Sequence, residues 1–483
     1  MQVVRMPLEE ALLRARVRRL TRRARPRPRT PRPRRTTDPR EVTPKRTAQL
    51  LVGAFAAALV VGTVLLVLPA ARTGPGGATP LEAFFTAASA ICVTGLVVVD
   101  TPVYWTPFGQ AVILALIQLG GFGVMSFATV LGILLSRRPG LSARITSATE
   151  TKSPGYGDMR GVLLRILATT VVIEAAVAAA LGLRFGLGYG YEPARALWHG
   201  VFHAVSAFNN AGFALYSLSI TDFAADPWIT LPLMVAVVLG GLGFPVLQQL
   251  RREWRRPLRW SMNTRVVLMA TAVLLGAGTV FLCAVEWSNP ATLGPMRTDE
   301  KLLAGLFQSV IARTAGFNSI DVTAMHPVSW LGLDLLMLIG GGPAGTAGGL
   351  KVTTVAVLGF VAWAEITGQG AVTVLGKRLS RSVQRQATTV VVLALGAVVT
   401  ATTVLMLLHE DLGLDRILFE VVSAFATVGL STGITAQLSP AAQLVLVALM
   451  FLGRLGPITV ATALAARTRR TLYELPKERP LIG

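Results

Sequence analysis

FEVVSAFATVGLS occupies residues 419–431. A short apolar segment of helical character runs into Thr427-Val428-Gly429, and the polar Ser431 and Thr432 follow. Three further segments repeat the phrase: SAICVTGL at 89–96, SAFNNAGF at 206–213 and VIARTAGF at 310–317, each ending in Gly plus Leu or Phe. Their glycines, Gly95, Gly212, Gly316 and Gly429, lie a little over a hundred residues apart. Among 47 glycines a single match would carry no weight. Four at even spacing, each in the same apolar setting, mark a fourfold internal repeat within one polypeptide.

Thr-Val-Gly opens the type of loop whose main-chain carbonyls replace the water shell of a cation in a channel filter. Such a ring needs backbone with no side chain in the way, and a residue able to take φ > 0, which is what glycine supplies.

Composition fixes the solvent. The 483 residues are 52% hydrophobic and 15% charged, with a mean hydropathy of +0.58, whereas a soluble chain carries about 25% charged residues. This is a polytopic membrane protein. Eight apolar runs reach the length of about 20 residues that a crossing needs, in pairs straddling the four phrases: 48–70 and 107–136, 162–183 and 228–250, 266–286 and 330–363, 387–408 and 441–466. The segments between them, 79–92, 194–209, 299–312 and 415–426, are too short to cross. Each repeat therefore reads as membrane helix, re-entrant pore helix, filter loop, membrane helix. The predicted fold is all-α: four such repeats (47–138, 160–255, 264–365 and 385–470) around one pore, as in a potassium channel. Irregular backbone at membrane depth must be buried in protein or line water, so a water-filled vestibule is expected on one side.

The net charge of +21 is uneven: residues 1–46 hold 16 Lys/Arg against four acids. This tail either holds the N-terminus inside by the positive-inside rule or contacts anionic lipid or a cytoplasmic partner. Arg137, Arg138, Arg144, Lys152 and Arg160, then Arg251, Arg252, Arg255, Arg256, Arg259 and Arg265, then Lys377, Arg378, Arg381 and Arg385 separate the repeats, and residues 471–483 form a C-terminal tail. Segments entering the pore helices carry Glu192, Asp299, Glu300, Glu410, Asp411 and Asp415 instead. Both termini are expected in the cytoplasm, with an acidic outer rim that attracts cations.

The second helices carry LGGFG (119–123), LGGLGF (239–244), IGGGPAGTAGG (339–349) and LGRLGP (452–457). The first two read as close helix packing through small residues. The third cannot be ordinary helix, since six glycines and a proline in eleven residues would cost several kcal/mol of helix propensity, at about 1 for each Gly and 3 for Pro. Residues 339–350 read as an unwound loop across the pore and a movable gate: Gly340, Gly341, Gly342, Pro343, Ala344, Gly345, Thr346, Ala347, Gly348 and Gly349. Arg454, a charge in an apolar run, either snorkels to the surface or faces the axis, where it bonds free gate carbonyls and repels cations. GTAGGLK at 345–351 lacks the Gly before Lys and the Ser/Thr after it that a phosphate loop requires. His199 and His203 have a zinc-pair spacing but no third ligand near in sequence, and read as packing behind the filter. Glu174 and Glu286 fit ion ligands or interface positions equally. Cys92 and Cys283 form no disulfide or metal framework, and no acid/base constellation points to an enzyme.

As a set, FNNAGF at 208–213, RTAGFN at 313–318, the glycine run at 340–349 and the Arg of LGRLGP are similar to motifs of the Trk/Ktr/HKT superfamily of potassium transporters, over roughly residues 46–470. With no extra helix pair before the first repeat, the chain looks closer to the Ktr membrane subunit. The resemblance implies a homodimer with one pore per protomer in the bacterial inner membrane. It also implies K+ as substrate, Na+ as a possible activator, and a cytoplasmic ring partner of KtrA or TrkA type carrying ATP or ADP, with no cofactor in this chain and no nucleic acid. It implies potassium-coordinating carbonyls from Val93, Thr94 and Gly95; Asn210, Ala211 and Gly212; Thr314, Ala315 and Gly316; and Thr427, Val428 and Gly429. In plant relatives serine at the first filter glycine goes with sodium transport, so Gly95 implies potassium preference. Val310 stands where the other repeats have Ser89, Ser206 and Ser423, so the third pore helix is expected to pack differently. An autonomous cation channel, a carrier of another solute and a membrane enzyme are the competing classes.

Overall fold

The computed structural model describes residues 44–136 and 159–456. Most of the basic tail, the first inter-repeat connection, the chain beyond Gly456 and the expected end of the last helix lie outside them.

Four long helices open the repeats: α1 (Pro44–Val67), α4 (Met159–Tyr189), α8 (Met262–Glu286) and α12 (Arg381–Leu408). Each contains a stretch long and apolar enough to cross a membrane. Pore helices follow: α2 (Pro80–Ile91), α5 (Pro193–Phe208), α9 (Thr298–Ile311) and α13 (Leu414–Ala426). At 12 to 16 residues they rise only about 18–24 Å, short of a 30 Å hydrocarbon core. Their starts are written locally. Thr79 and Glu82 form a reciprocal capping box before α2, and Pro80 stands at the first helical position, where its missing N–H costs nothing.

The second helices differ from one another. In the first repeat α3 (Pro107–Ser136) runs unbroken through its glycines, as expected from close packing. A Cβ on Gly120 would strike the Ile91 carbonyl at the end of α2. In the second repeat Gly240 packs in the same way, its Cβ aimed at the Phe208 carbonyl, but the helix then breaks, which was not expected. α6 (Pro227–Leu242) ends at Gly243, φ 91°, and α7 (Phe244–Glu253) leaves at 102°. The physical reason lies in the third repeat: a Cβ on Gly243 would meet the Pro343 carbonyl, so the helix breaks where the glycine loop seats against it. That loop separates α10 (Pro327–Leu338) from α11 (Val352–Ile366), and the fourth repeat closes on α14 (Pro440–Leu455). One two-residue hairpin, Thr373–Val374 with Lys377–Arg378, is the sole sheet among the described residues. The fold is all-helical, with four pore helices buried inside a rim of spanning helices.

The core sits around the pore helices. Phe85, Phe202, Phe208, Phe307, Phe317, Phe419 and Phe425 are almost fully buried, whereas α1 and α12 expose Val60, Val64, Val392 and Val399 outward. Apolar side chains facing outward suit a hydrocarbon solvent, which has no water from which to withdraw them.

A closed ring of four loops and the loop beneath it

Each pore helix ends on the same backbone figure. The first residue of each loop is left-handed: Val93 (φ 56°), Asn210 (61°), Thr314 (86°) and Thr427 (51°). The next residue is not, and the glycine is again positive: Gly95 (94°), Gly212 (70°), Gly316 (67°) and Gly429 (93°). Left-handed backbone at branched Val93, Thr314 and Thr427 costs of order 1–3 kcal/mol each and persists only where the surroundings over-determine it. Here the pore helix does so: Thr94 N–H donates to Ser89 O at 2.8 Å, Ala211 to Ser206 O at 2.7 Å and Val428 to Ser423 O at 2.9 Å. The serine hydroxyls tighten the same turn. Ser89 Oγ accepts from Gly95 N at 3.0 Å, Ser423 Oγ from Gly429 N at 3.1 Å, and Ser206 Oγ donates to Phe213 O at 2.8 Å. In the third repeat, where Val310 has no hydroxyl, the anchor moves one residue. Ala315 N donates to Ile311 O at 2.9 Å and Gly316 N to the same oxygen at 3.4 Å. The expected difference in packing is this shift.

The four loops close on one another. A Cβ on Gly95 would strike the Ala211 carbonyl, one on Gly212 the Ala315 carbonyl at 2.8 Å, one on Gly316 that of Val428, and one on Gly429 that of Thr94. The chain of neighbours returns to its start, so all twelve filter residues named from sequence belong to a single ring of loops. Asn210 bridges two of them. With its amide oxygen accepting from Thr314 Oγ1 at 3.1 Å, its nitrogen reaches Val237 O at 3.2 Å and Ala207 O at 3.1 Å. Thr94 and Thr427 hydroxyls are buried without a protein partner among the described residues.

The glycine loop lies at the pore-helix end of this ring. Its base is stitched by Gly340 N to Leu350 O, 2.9 Å, and Leu350 N to Leu338 O, 3.2 Å. Gly342 N donates to Gly241 O at 2.8 Å, Thr346 N to Gly240 O at 3.1 Å, and Phe244 N to Ala344 O at 3.2 Å, so the broken second-repeat helix is its seat. Thr346 Oγ1 reaches up to Phe208 O, 3.1 Å, and a Cβ on Gly348 would hit Thr427 Oγ1. Arg454 is buried, 4% exposed, and donates to Thr346 O and, at 3.2 Å, to Gly120 O. It does not snorkel. Lys351 Nζ donates to Ala347 O at 2.5 Å.

Three polar residues were not singled out from sequence. Arg313 is buried and donates to Gly340 O at 3.0 Å, fastening the loop from the third pore helix. Glu420, fully buried, accepts from Ser431 Oγ and from Thr435 Oγ1 at 3.1 Å, holding the chain that leaves the fourth filter loop. Asn209 Nδ2 joins Gln118 Oε1 at 2.8 Å to Glu174 Oε1 at 2.9 Å. The available signal was a charged or amide side chain in or just after an apolar stretch: Glu420 inside its pore helix, Asn209 and Arg313 just past the ends of theirs. The remaining candidates are packing groups. His203 Nε2 accepts from Leu215 N at 3.2 Å while its Nδ1 meets His199 O at 2.7 Å, and His199 Nδ1 pairs with Tyr216 Oη at 3.0 Å. Glu286 gathers Asn289 at 2.6 Å, Thr292 at 2.7 Å, His326 N at 2.9 Å and Ser329.

The model of a family of cation transport proteins, TrkH, matches residues 45–470. Ktr system potassium uptake protein B of Vibrio alginolyticus is 38% identical over 90% of this chain and 94% of its own length. The protein of the same name from Bacillus subtilis is 36% identical over 86% and 92%. The potassium/sodium uptake protein NtpJ of Enterococcus hirae is 32% identical over 90% and 97%. The crystal structure of the potassium transporter TrkH from Vibrio parahaemolyticus superposes with a TM-score of 0.70 at 17% identity, covering 89% of this chain and 86% of that one, a likeness of fold. A multi-pass helical chain with these relatives, and a family match running through all four loops of the ring, belongs to the TrkH family of cation transport proteins.

Proposed function

We propose that this chain is the ion-translocating subunit of a potassium uptake system of the cytoplasmic membrane. The observation that carries the reading is the closed ring of Gly95, Gly212, Gly316 and Gly429, in which each glycine faces a neighbouring loop's carbonyl. Main-chain oxygens from Val93–Gly95, Asn210–Gly212, Thr314–Gly316 and Thr427–Gly429 take the place of water around a dehydrated K+. Negative partial charge at the C-terminal ends of four pore helices converges on the same place. The relatives' names, potassium uptake and potassium/sodium uptake proteins, support K+ as the substrate.

The segment 339–350 is the gate, and its Thr346–Arg454 bond is a latch. Arg454 adds a positive charge that opposes cation passage while the loop is shut. A membrane potential of 100 mV supplies about 2.3 kcal/mol per ion, enough for roughly fiftyfold accumulation without a pump. Both termini face the cytoplasm, where the relatives' description as members of a Ktr system supports a regulatory partner. That partner is a nucleotide-binding ring of KtrA or TrkA type, and the membrane subunit works as a homodimer with Na+ as activator.

The test is K+ uptake in a cell lacking its own K+ transporters, with and without a co-expressed ring subunit. Uptake that saturates with K+ and is lost on blocking the ring with Gly429→Ala supports the reading. Uptake that ignores the filter glycines refutes it.

A further inference from the structure

The ring's two ends are unlike. The gate loop meets the pore-helix side. On the opposite side is a cavity of about 280 Å3 whose walls include all four filter glycines. At about 30 Å3 per water this holds roughly nine waters, room for a cation that still keeps its hydration shell. Asp100 is the single carboxylate among the lining residues, and no Lys or Arg lines the cavity. Asp100 comes from the first repeat and is fixed by the second, where Ser217 Oγ donates to its Oδ2 at 2.5 Å. No ion pair among the described residues neutralises it. Asn318, from the third repeat, also lines the cavity and is tied through its backbone to Ser219 Oγ at 3.0 Å and to Ile220 N at 2.9 Å, so three repeats are stitched together around it. One unneutralised carboxylate thus faces a hydrated chamber against the ring.

We infer that this chamber is a cation-recruiting site in which Asp100 holds a hydrated K+ before it is stripped of water at the glycine ring. The site rests on the proposed filter. A carboxylate in a cleft with low-dielectric walls raises the local cation concentration, and does so less as salt screens it. Asp100 is too exposed to dehydrate an ion. It recruits, and the carbonyl ring discriminates.

The experiment measures K+ uptake against external K+ by the full chain in transport-deficient cells. It is run once in sorbitol and once with an impermeant salt at physiological ionic strength. Asp100→Asn raises the half-saturating K+ concentration at least threefold in sorbitol, lowers the maximal rate less than twofold, and differs less from the parent in salt. Asp100→Glu restores the parent value, and Ser217→Ala shifts half-saturation in the same direction by a smaller factor. Unchanged half-saturation in Asp100→Asn overturns the inference. So does a shift indifferent to salt, or a loss confined to the maximal rate, because each assigns Asp100 to loop packing. A parent chain that takes up no K+ removes the filter reading and this site with it, whereas a parent that transports with an unresponsive Asp100 removes this site alone.

Discussion

Arg454→Ala tests the latch. The guanidinium makes two buried hydrogen bonds, and only the one to Thr346 O joins it to the 339–350 loop, the proposed gate; the other, to Gly120 O, holds the arginine to the first repeat. A hydrogen bond from a charged donor contributes about 1.5–3 kcal/mol. Its loss shifts the closed-to-open ratio by about ten- to a hundredfold, at 1.4 kcal/mol per tenfold. Removing a positive charge beside the path lowers the barrier to cations as well, so both effects raise flux. The assay is rubidium tracer uptake into proteoliposomes holding the chain without a ring partner, driven by a fixed potential. Basal uptake should rise at least tenfold in Arg454→Ala. Arg454→Gln, which keeps a donor but no charge, should fall between parent and alanine. If both variants, eluting as the parent does on size exclusion, take up rubidium within twofold of it, the arginine is a packing residue and the gate assignment to 339–350 loses its latch.

Three further outcomes follow from the ring. Gly429→Ala, with φ 93° and a Cβ aimed at the Thr94 carbonyl, should abolish K+ uptake while the protein still reaches the membrane, checked by uptake beside a surface label. Gly95→Ser pushes its side chain against the Ala211 carbonyl, so it should admit Na+; an unchanged K+/Na+ uptake ratio would remove the first loop from the filter. Ser423→Ala deletes the hydroxyl that receives Gly429 N–H and should cost about 1 kcal/mol of thermal stability. Ser423→Thr keeps the hydroxyl and should largely restore it, as read from the melting temperature in detergent.

Much of this molecule was legible in the chain. The pore helices lie within a residue or two of their expected bounds: proline starts the first two, with Thr79 and Glu82 capping the first, and a left-handed residue follows the end of each. All of those are local signals. The loop at 339–350 was legible because six glycines cannot hold a helix. The break at Gly243 was not, since LGGLGF and LGGFG are nearly the same words. One helix stays whole and the other bends by 102°, the difference being that Pro343 and Ala344 arrive at the second from another repeat. Arg313 and Glu420 passed unremarked for a different reason: their partners, Gly340 and Ser431, lie in the same repeat but 27 and 11 residues away, beyond the reach of local pattern.

Periodicity and composition alone determined a membrane solvent, four repeats, four half-length helices and one segment unable to be helical, because each depends on residues adjacent in the chain. Folding decided what no single repeat contains. The repeats had to assemble before Gly95 could meet Ala211, before Arg454 could reach Thr346, and before Asp100 could face the ring. Those contacts join different repeats, with Gly95 and Ala211, and Arg454 and Thr346, each more than a hundred residues apart, and only packing in three dimensions brings them together.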